Sequence, residues 1–209
     1  MYGGGSSRPC DWKTGRYFKP TATPSGVVVT EPEPSNPHWP RYSTRPFPSY
    51  RFVPGRAPHP RRDPRGHSYG LPEPKPTPFP ADKWQTSEDY LYGIDLYNFA
   101  YWWECHEVFE GLWHAVEHTS EQGNFFQALI QVAAANLKCF LGNSAAAHNL
   151  LHSGITRLQK VPPSYLGINV SRLTETLQAH MVRPNPQGLL ISLDQGQMKW
   201  SLGNRPVAP

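Results

Sequence analysis

The sequence predicts an all-α fold: a compact array of about five helices behind a long proline-rich N-terminal arm. Proline distribution is the first observation that predicts it. Of 24 prolines, 18 fall in residues 1–80, and none lies between Ala81 and Val161. Proline fixes φ and removes a backbone donor, so the first 80 residues cannot form long helices or central strands, whereas the proline-free stretch can. The second observation is apolar spacing: beyond Ser87 the hydrophobic residues recur at i, i+3 and i+4. The third is charge. Residues 1–80 carry 12 Lys+Arg against 5 Asp+Glu, and residues 81–209 carry 8 against 11, so a basic arm precedes an acidic domain.

Taken in order, residues 1–40 form a Gly/Pro/Ser-rich tail with too little apolar content to fold, and disorder is expected there. Residues 41–80 form a basic, aromatic, proline-rich arm. Tyr42, Phe47, Tyr50, Phe52 and Tyr69 would be wasted in a free tail, and they suit a strip laid over a folded surface. Its last ten residues, LPEPKPTPFP, favour a polyproline II spacer. The helical domain spans residues 81–183, and residues 184–209 are a C-terminal tail. In the domain, Ser87 caps a first helix through Tyr97, with Glu88 and Asp89 in its first turn. A second helix starts near Ala100 and runs to His118. Gly123-Asn124 closes the connection to a third, which begins at Phe125. Gly142 stops that helix and Asn143 caps a fourth, which ends before Pro162-Pro163. Asn169 or Ser171 caps a fifth. The apolar run Leu189–Leu193 is a strand or a docked tail.

The second helix carries the chemistry. His106, Glu107, Glu110, Trp113, His114 and Glu117 share one broad face at 100° per residue. His106 and Glu110 stand at i, i+4, which points an imidazole and a carboxylate to a common position one turn apart. Such a pair can bind a divalent transition metal such as zinc, manganese or iron, with Glu107 as a further ligand or as a general base, the candidate catalytic residue. His114 and the arm residues His59, Asp63 and His67 are weaker ligand candidates. Trp113 would wall the site. Gln127 and Gln131, i, i+4 on the third helix, would supply supporting hydrogen bonds. The competing reading is a metal-free interaction module in which the same His, Glu and Gln residues form a buried hydrogen-bond network. Opposite charges favour docking of residues 50–70 on the domain, bringing His59 or His67 towards the His106/Glu110 face.

The three cysteines, Cys10, Cys105 and Cys139, are odd in number and share no short spacing, which suits a reducing compartment without a disulfide framework. Cys105 and Cys139 read as small core residues. No early apolar run resembles a signal peptide, and none approaches the length of a membrane span, so a cytoplasmic protein without membrane contact is expected. The interleaved arginines and aromatics of the arm could stack on nucleic acid. No recognised nucleic-acid motif is present and the domain is acidic, so such a partner is disfavoured. A homo-oligomer is left open.

Several of these segments occur in an order that resembles a known family. They are Leu96-Tyr97-Asn98, the stretch Tyr101 to Trp113, and Phe126 to Gln131 with Ala133 to Ala135. Gly142-Asn143 before an Ala-rich helix and Tyr165-Leu166-Gly167-Ile168 complete the set. Over roughly residues 88–180 the chain resembles the domain of unknown function 309 family, uncharacterised helical domains of bacteria and archaea. That family is marked by His, three residues, Glu, two residues, then Trp or Tyr, here His106, Glu110 and Trp113. The resemblance implies an all-helical fold and a metal-binding role suggested for the motif. It implies no reaction.

Overall fold

The computed structural model describes residues 31–182 and 189–194. A 3-10 turn, Ala81–Thr86, leads into five helices: α1 (Glu88–Asn98), α2 (Trp102–His114), α3 (Glu121–Phe140), α4 (Ser144–Leu158) and α5 (Val170–Val182). A two-residue hairpin, β1 (Ser164–Tyr165) against β2 (Ile168–Asn169), links α4 to α5. The expected all-α array of about five helices behind an N-terminal arm is what forms.

The caps fall where side chains can satisfy the first free amides. Ser87 Oγ accepts from Tyr90 N at 3.3 Å, Asn143 Oδ1 from Ala146 N at 3.1 Å, and Asn169 Oδ1 from Arg172 N at 2.9 Å. Two boundaries differ from the sequence expectation. α2 stops at His114, four residues short of His118, and α3 starts at Glu121, four residues before Phe125. Ser120 is the reason: its hydroxyl accepts from Gly123 N at 3.0 Å and so caps α3. Gly123 lies inside the first turn of α3 rather than in the connection. A Cβ there would sit 2.3 Å from the carbonyl oxygen of Glu117, so only glycine lets the helix start this close to the end of α2.

The core is aromatic. Tyr90, Phe109, Phe125 and Phe126 are fully buried, with the Phe109 and Phe126 rings stacked at 6.2 Å. Gly93 on α1 meets the Phe109 ring, which a Cβ would approach to 2.8 Å, so the glycine sets how closely α1 and α2 pack. Cys105 is buried in the core as expected, whereas Cys139 is only half-buried.

Two extended segments complete the domain. The arm is seated by Asp95, whose buried carboxylate accepts from Arg41 Nε, Tyr42 N and Ser43 N at 2.8–2.9 Å. Residues 1–30 of the expected disordered tail lie outside the described residues. Residues 31–40 already rest on the domain: Trp39 packs against the core, and a Glu31 carboxylate oxygen accepts from Arg51 N at 3.1 Å. Packing therefore begins by Glu31, ten residues before the expected arm boundary. In the C-terminal tail, Leu189–Asp194 form no helix or strand. They dock through the Asn98 side chain, which donates to Ile191 O and accepts from Ile191 N, both at 2.8 Å. No helix among the described residues is long and apolar enough to cross a membrane.

Candidate metal centre

Position along α2 decides which side chains meet. Cys105, Phe109 and Leu112 form the core face of α2. His106, Glu110 and Trp113 flank it on one side, each half-buried. One ligand atom from each of His106, Glu107 and Glu110 lies within 4.8 Å of the others. His106 Nδ1 stands 3.4 Å from Glu107 Oε1 and 4.0 Å from Glu110 Oε2. The three side chains are 31%, 39% and 44% exposed, so the group opens to solvent on one side.

The polar atoms here are not satisfied by one another. His106 Nδ1 is buried and has no hydrogen-bond partner, although two carboxylates face it. Trp113 Nε1 and Gln131 Oε1 are buried and unpartnered as well. Among the described residues, neither Gln127 nor Gln131 hydrogen-bonds to His106, Glu107 or Glu110. The supporting role expected of the two glutamines is thus not seen. A metal held at about 2.1 Å from each donor puts the donors about 3–4 Å apart. The observed spacings reach that range with small rotamer changes, so the donor set fits a divalent ion.

The other candidates are placed elsewhere. His114 is exposed beyond Glu110 and joins an aromatic group: Trp113 stacks on His118 with centroids 3.6 Å apart and planes 12° apart, and the His114 ring lies 5.0 Å from Trp113. Asp63 binds Arg65 at 2.9 Å in the arm, and this hydrogen bond pulls its pKa down to about 2. The His59 ring packs on Phe52 and Trp103. His67 Nε2 pairs with Glu104 Oε1 at 3.0 Å. The arm therefore docks on α2 as expected, but its histidines do not join His106. Glu104 lies about 200° around the helix from His106. Sequence reading missed Glu104 as the arm's receptor. The available signal was an acid beside core Cys105, in an acidic stretch that had to face a basic arm.

Two further features bear on the chemistry. Burial pushes the Cys105 thiol well above its ordinary pKa, which leaves no reactive thiolate beside His106. A cavity of about 30 Å³ lined by Asn136, His148 and His180 has room for little more than a water, and none of its lining residues comes from α2.

The helices that carry this centre also match a family model. Residues 90–150, from α1 into α4, match the domain of unknown function DUF309. No curated protein matches the chain. The stretch from Tyr90 to Leu150, which contains His106, Glu110 and Trp113, therefore matches the model of the domain of unknown function 309 family.

Proposed function

We propose that His106, Glu110 and Glu107 hold one divalent cation, zinc, manganese or iron, and that the protein supports metal-dependent hydrolysis. One observation carries the reading: a buried imidazole nitrogen without a hydrogen-bond partner faces two carboxylate oxygens at 3.4 and 4.0 Å. A buried acceptor or donor left unmade is costly, and a cation offsets both that cost and the mutual repulsion of Glu107 and Glu110.

When bound, such an ion polarises a substrate oxygen and acidifies water at neutral pH. The chain's own residues do the rest. His106 would contribute Nδ1, and Glu110 a carboxylate oxygen from one turn away. Glu107 can turn between the ion and solvent, so it can accept a proton and pass it out. Trp113, two turns further along the same face, would wall one side of the site. The metal-free module reading has less support, because the expected His, Glu and Gln residues do not bond to one another. A nucleic-acid role also loses support. The guanidinium groups of Arg41, Arg45, Arg51 and Arg56 stack at 3.9–4.9 Å on Phe47, Tyr92, Tyr101 and Phe140 of the same chain.

The test is elemental analysis of protein purified without a metal-binding tag, together with titration of the chelator-stripped protein by zinc, manganese and iron. One ion per chain is expected. No bound metal, and no titratable site, would leave the interaction-module reading standing.

A further inference from the structure

Where the arm meets α2, three side chains form a hydrogen-bonded chain that the metal reading does not use. Ser68 Oγ lies 2.8 Å from His67 Nδ1, and His67 Nε2 lies 3.0 Å from Glu104 Oε1. The His67 and Glu104 side chains are 7% and 6% exposed. A carboxylate only accepts, so Nε2 carries the ring proton and donates to Glu104. In neutral imidazole that leaves Nδ1 as the acceptor, aimed at the Ser68 hydroxyl.

The surrounding contacts fix this geometry. The His67 ring packs on Tyr50 at 4.7 Å, and Tyr50 in turn donates to Pro58 O at 2.7 Å. Glu104 Oε1 also accepts from Phe52 N at 2.9 Å. Ser68 N donates to Pro60 O at 3.0 Å, and Gly66 sits so close to Pro60 O that a Cβ would fall 2.2 Å from it. Glu104 Oε2 is buried with no hydrogen-bond partner, a cost that an imidazolium at His67 would offset. Ser68 itself is half-buried and borders the surface. Beside it, Tyr69 and Leu71 are 51% and 61% exposed. The Gly70 amide, at φ +72°, makes no hydrogen bond among the described residues.

We propose that Ser68 is a nucleophile, with His67 as its general base and Glu104 as the acid that orients and stabilises the imidazole. The ring nitrogens are exchanged relative to the commonest serine-hydrolase arrangement, but the roles are the same. The substrate class is a small ester whose apolar acyl group lies on Tyr69 and Leu71, with the carbonyl oxygen towards the Gly70 amide. Ser68 Oγ attacks the carbonyl carbon as its proton passes to His67 Nδ1. The bond from that carbon to the leaving oxygen breaks, and the alcohol departs with the proton. Water then attacks the acyl-serine by the same route, releasing the acid and restoring the Ser68 hydroxyl. Glu104 keeps its hydrogen bond to His67 Nε2 throughout.

The experiment treats the full chain with a fluorophosphonate probe, which bonds phosphorus to the nucleophilic oxygen and expels fluoride, and maps the adduct by peptide mass. An adduct on Ser68 is expected. It should be absent in Ser68→Ala, slowed about 100-fold or more in Glu104→Gln, and unchanged by a chelator. The last result separates it from the metal centre. Unlabelled Ser68, or equal rates in wild type and Glu104→Gln, overturns the proposal. If hydrogen exchange shows that Glu104→Gln releases the arm, the pH dependence of wild-type labelling decides. A single rise to a plateau as one base deprotonates supports the proposal. A rate that climbs without a plateau, as for an unassisted hydroxyl, overturns it.

Discussion

Asp95 shows how much one side chain can organise. It is fully buried, and its carboxylate meets three donors from three consecutive arm residues. Asp95→Ala should cost about 3–5 kcal/mol, because it leaves Arg41 and two amides without their acceptor in a low-dielectric site. Urea denaturation measures it, and the arm should be lost first by hydrogen exchange. At the proposed metal site, His106→Ala and Glu110→Gln should each abolish or sharply reduce ion content while melting temperature in the metal-free state stays close to wild type, since neither side chain makes a hydrogen bond that folding would lose. Asp63 gives a pH effect of known sign. The Arg65 hydrogen bond holds its pKa at about 2, against 3.8 for the ordinary group. A depressed carboxylate stabilises the fold above its unfolded pKa and loses that contribution as pH falls through the folded one. The turn at residues 63–66 should therefore loosen between pH 3.8 and about 2, read from the Arg65 amide resonance. No change across that range would show that the Asp63–Arg65 contact is not held in solution.

Among the elements, capping decides where helices begin. Ser120→Ala should cost about 1 kcal/mol and fray the first turn of α3, as measured by exchange of the Gly123 and Asn124 amides. That same cap explains what could and could not be read in advance. Ser87 and Asn143 were legible because each precedes an apolar-periodic run, and Asn169 was one of two candidates, with Ser171, for the same reason. Ser120 was not, because Glu121, Gln122, Gly123 and Asn124 look like a loop until the fold is known. Gly123 reads as a breaker in sequence, yet it is demanded by the close approach of the Glu117 and His118 carbonyls, a tertiary constraint. The metal candidates His106, Glu107 and Glu110 were legible since they lie on one helix, where periodicity alone sets proximity. Glu104 was hidden for the opposite reason. Its partners His67 and Phe52 lie 37 and 52 residues away, and only the path of the arm brings them together. The wrong placement of His59 and His67 has the same origin: charge predicts that the arm docks, but not on which flank of α2.

At the scale of the whole molecule, the helices do not close their own core. The arm supplies Tyr42, Phe52 and Val53 to it, and the C-terminal segment supplies Ile191 and Leu193, all buried. Arm and tail also meet: Leu193 N donates to the Tyr42 hydroxyl at 3.2 Å, and Asp194 N donates to Gly167 O at 2.8 Å. The tail is therefore a wedge between the arm and the hairpin that ends at α5. A chain ending at Val182 would lose two buried aliphatic side chains, worth about 1.5–3 kcal/mol each as an upper estimate. It would also strand the Asn98 amide, whose two hydrogen bonds both go to Ile191. Asn98 is 2% exposed, so water cannot replace those partners without opening the end of α1. The expected outcome is a loss of about 3–5 kcal/mol in urea, much of a small domain's stability. Asn98→Leu in the shortened chain separates the two contributions, since it removes the stranded amide while Ile191 and Leu193 remain absent. If truncation leaves stability unchanged, the tail rests on the domain without holding it. If truncation destabilises and Asn98→Leu partly rescues the shortened chain, the unpaired amide accounts for the rescued share and apolar burial for the remainder.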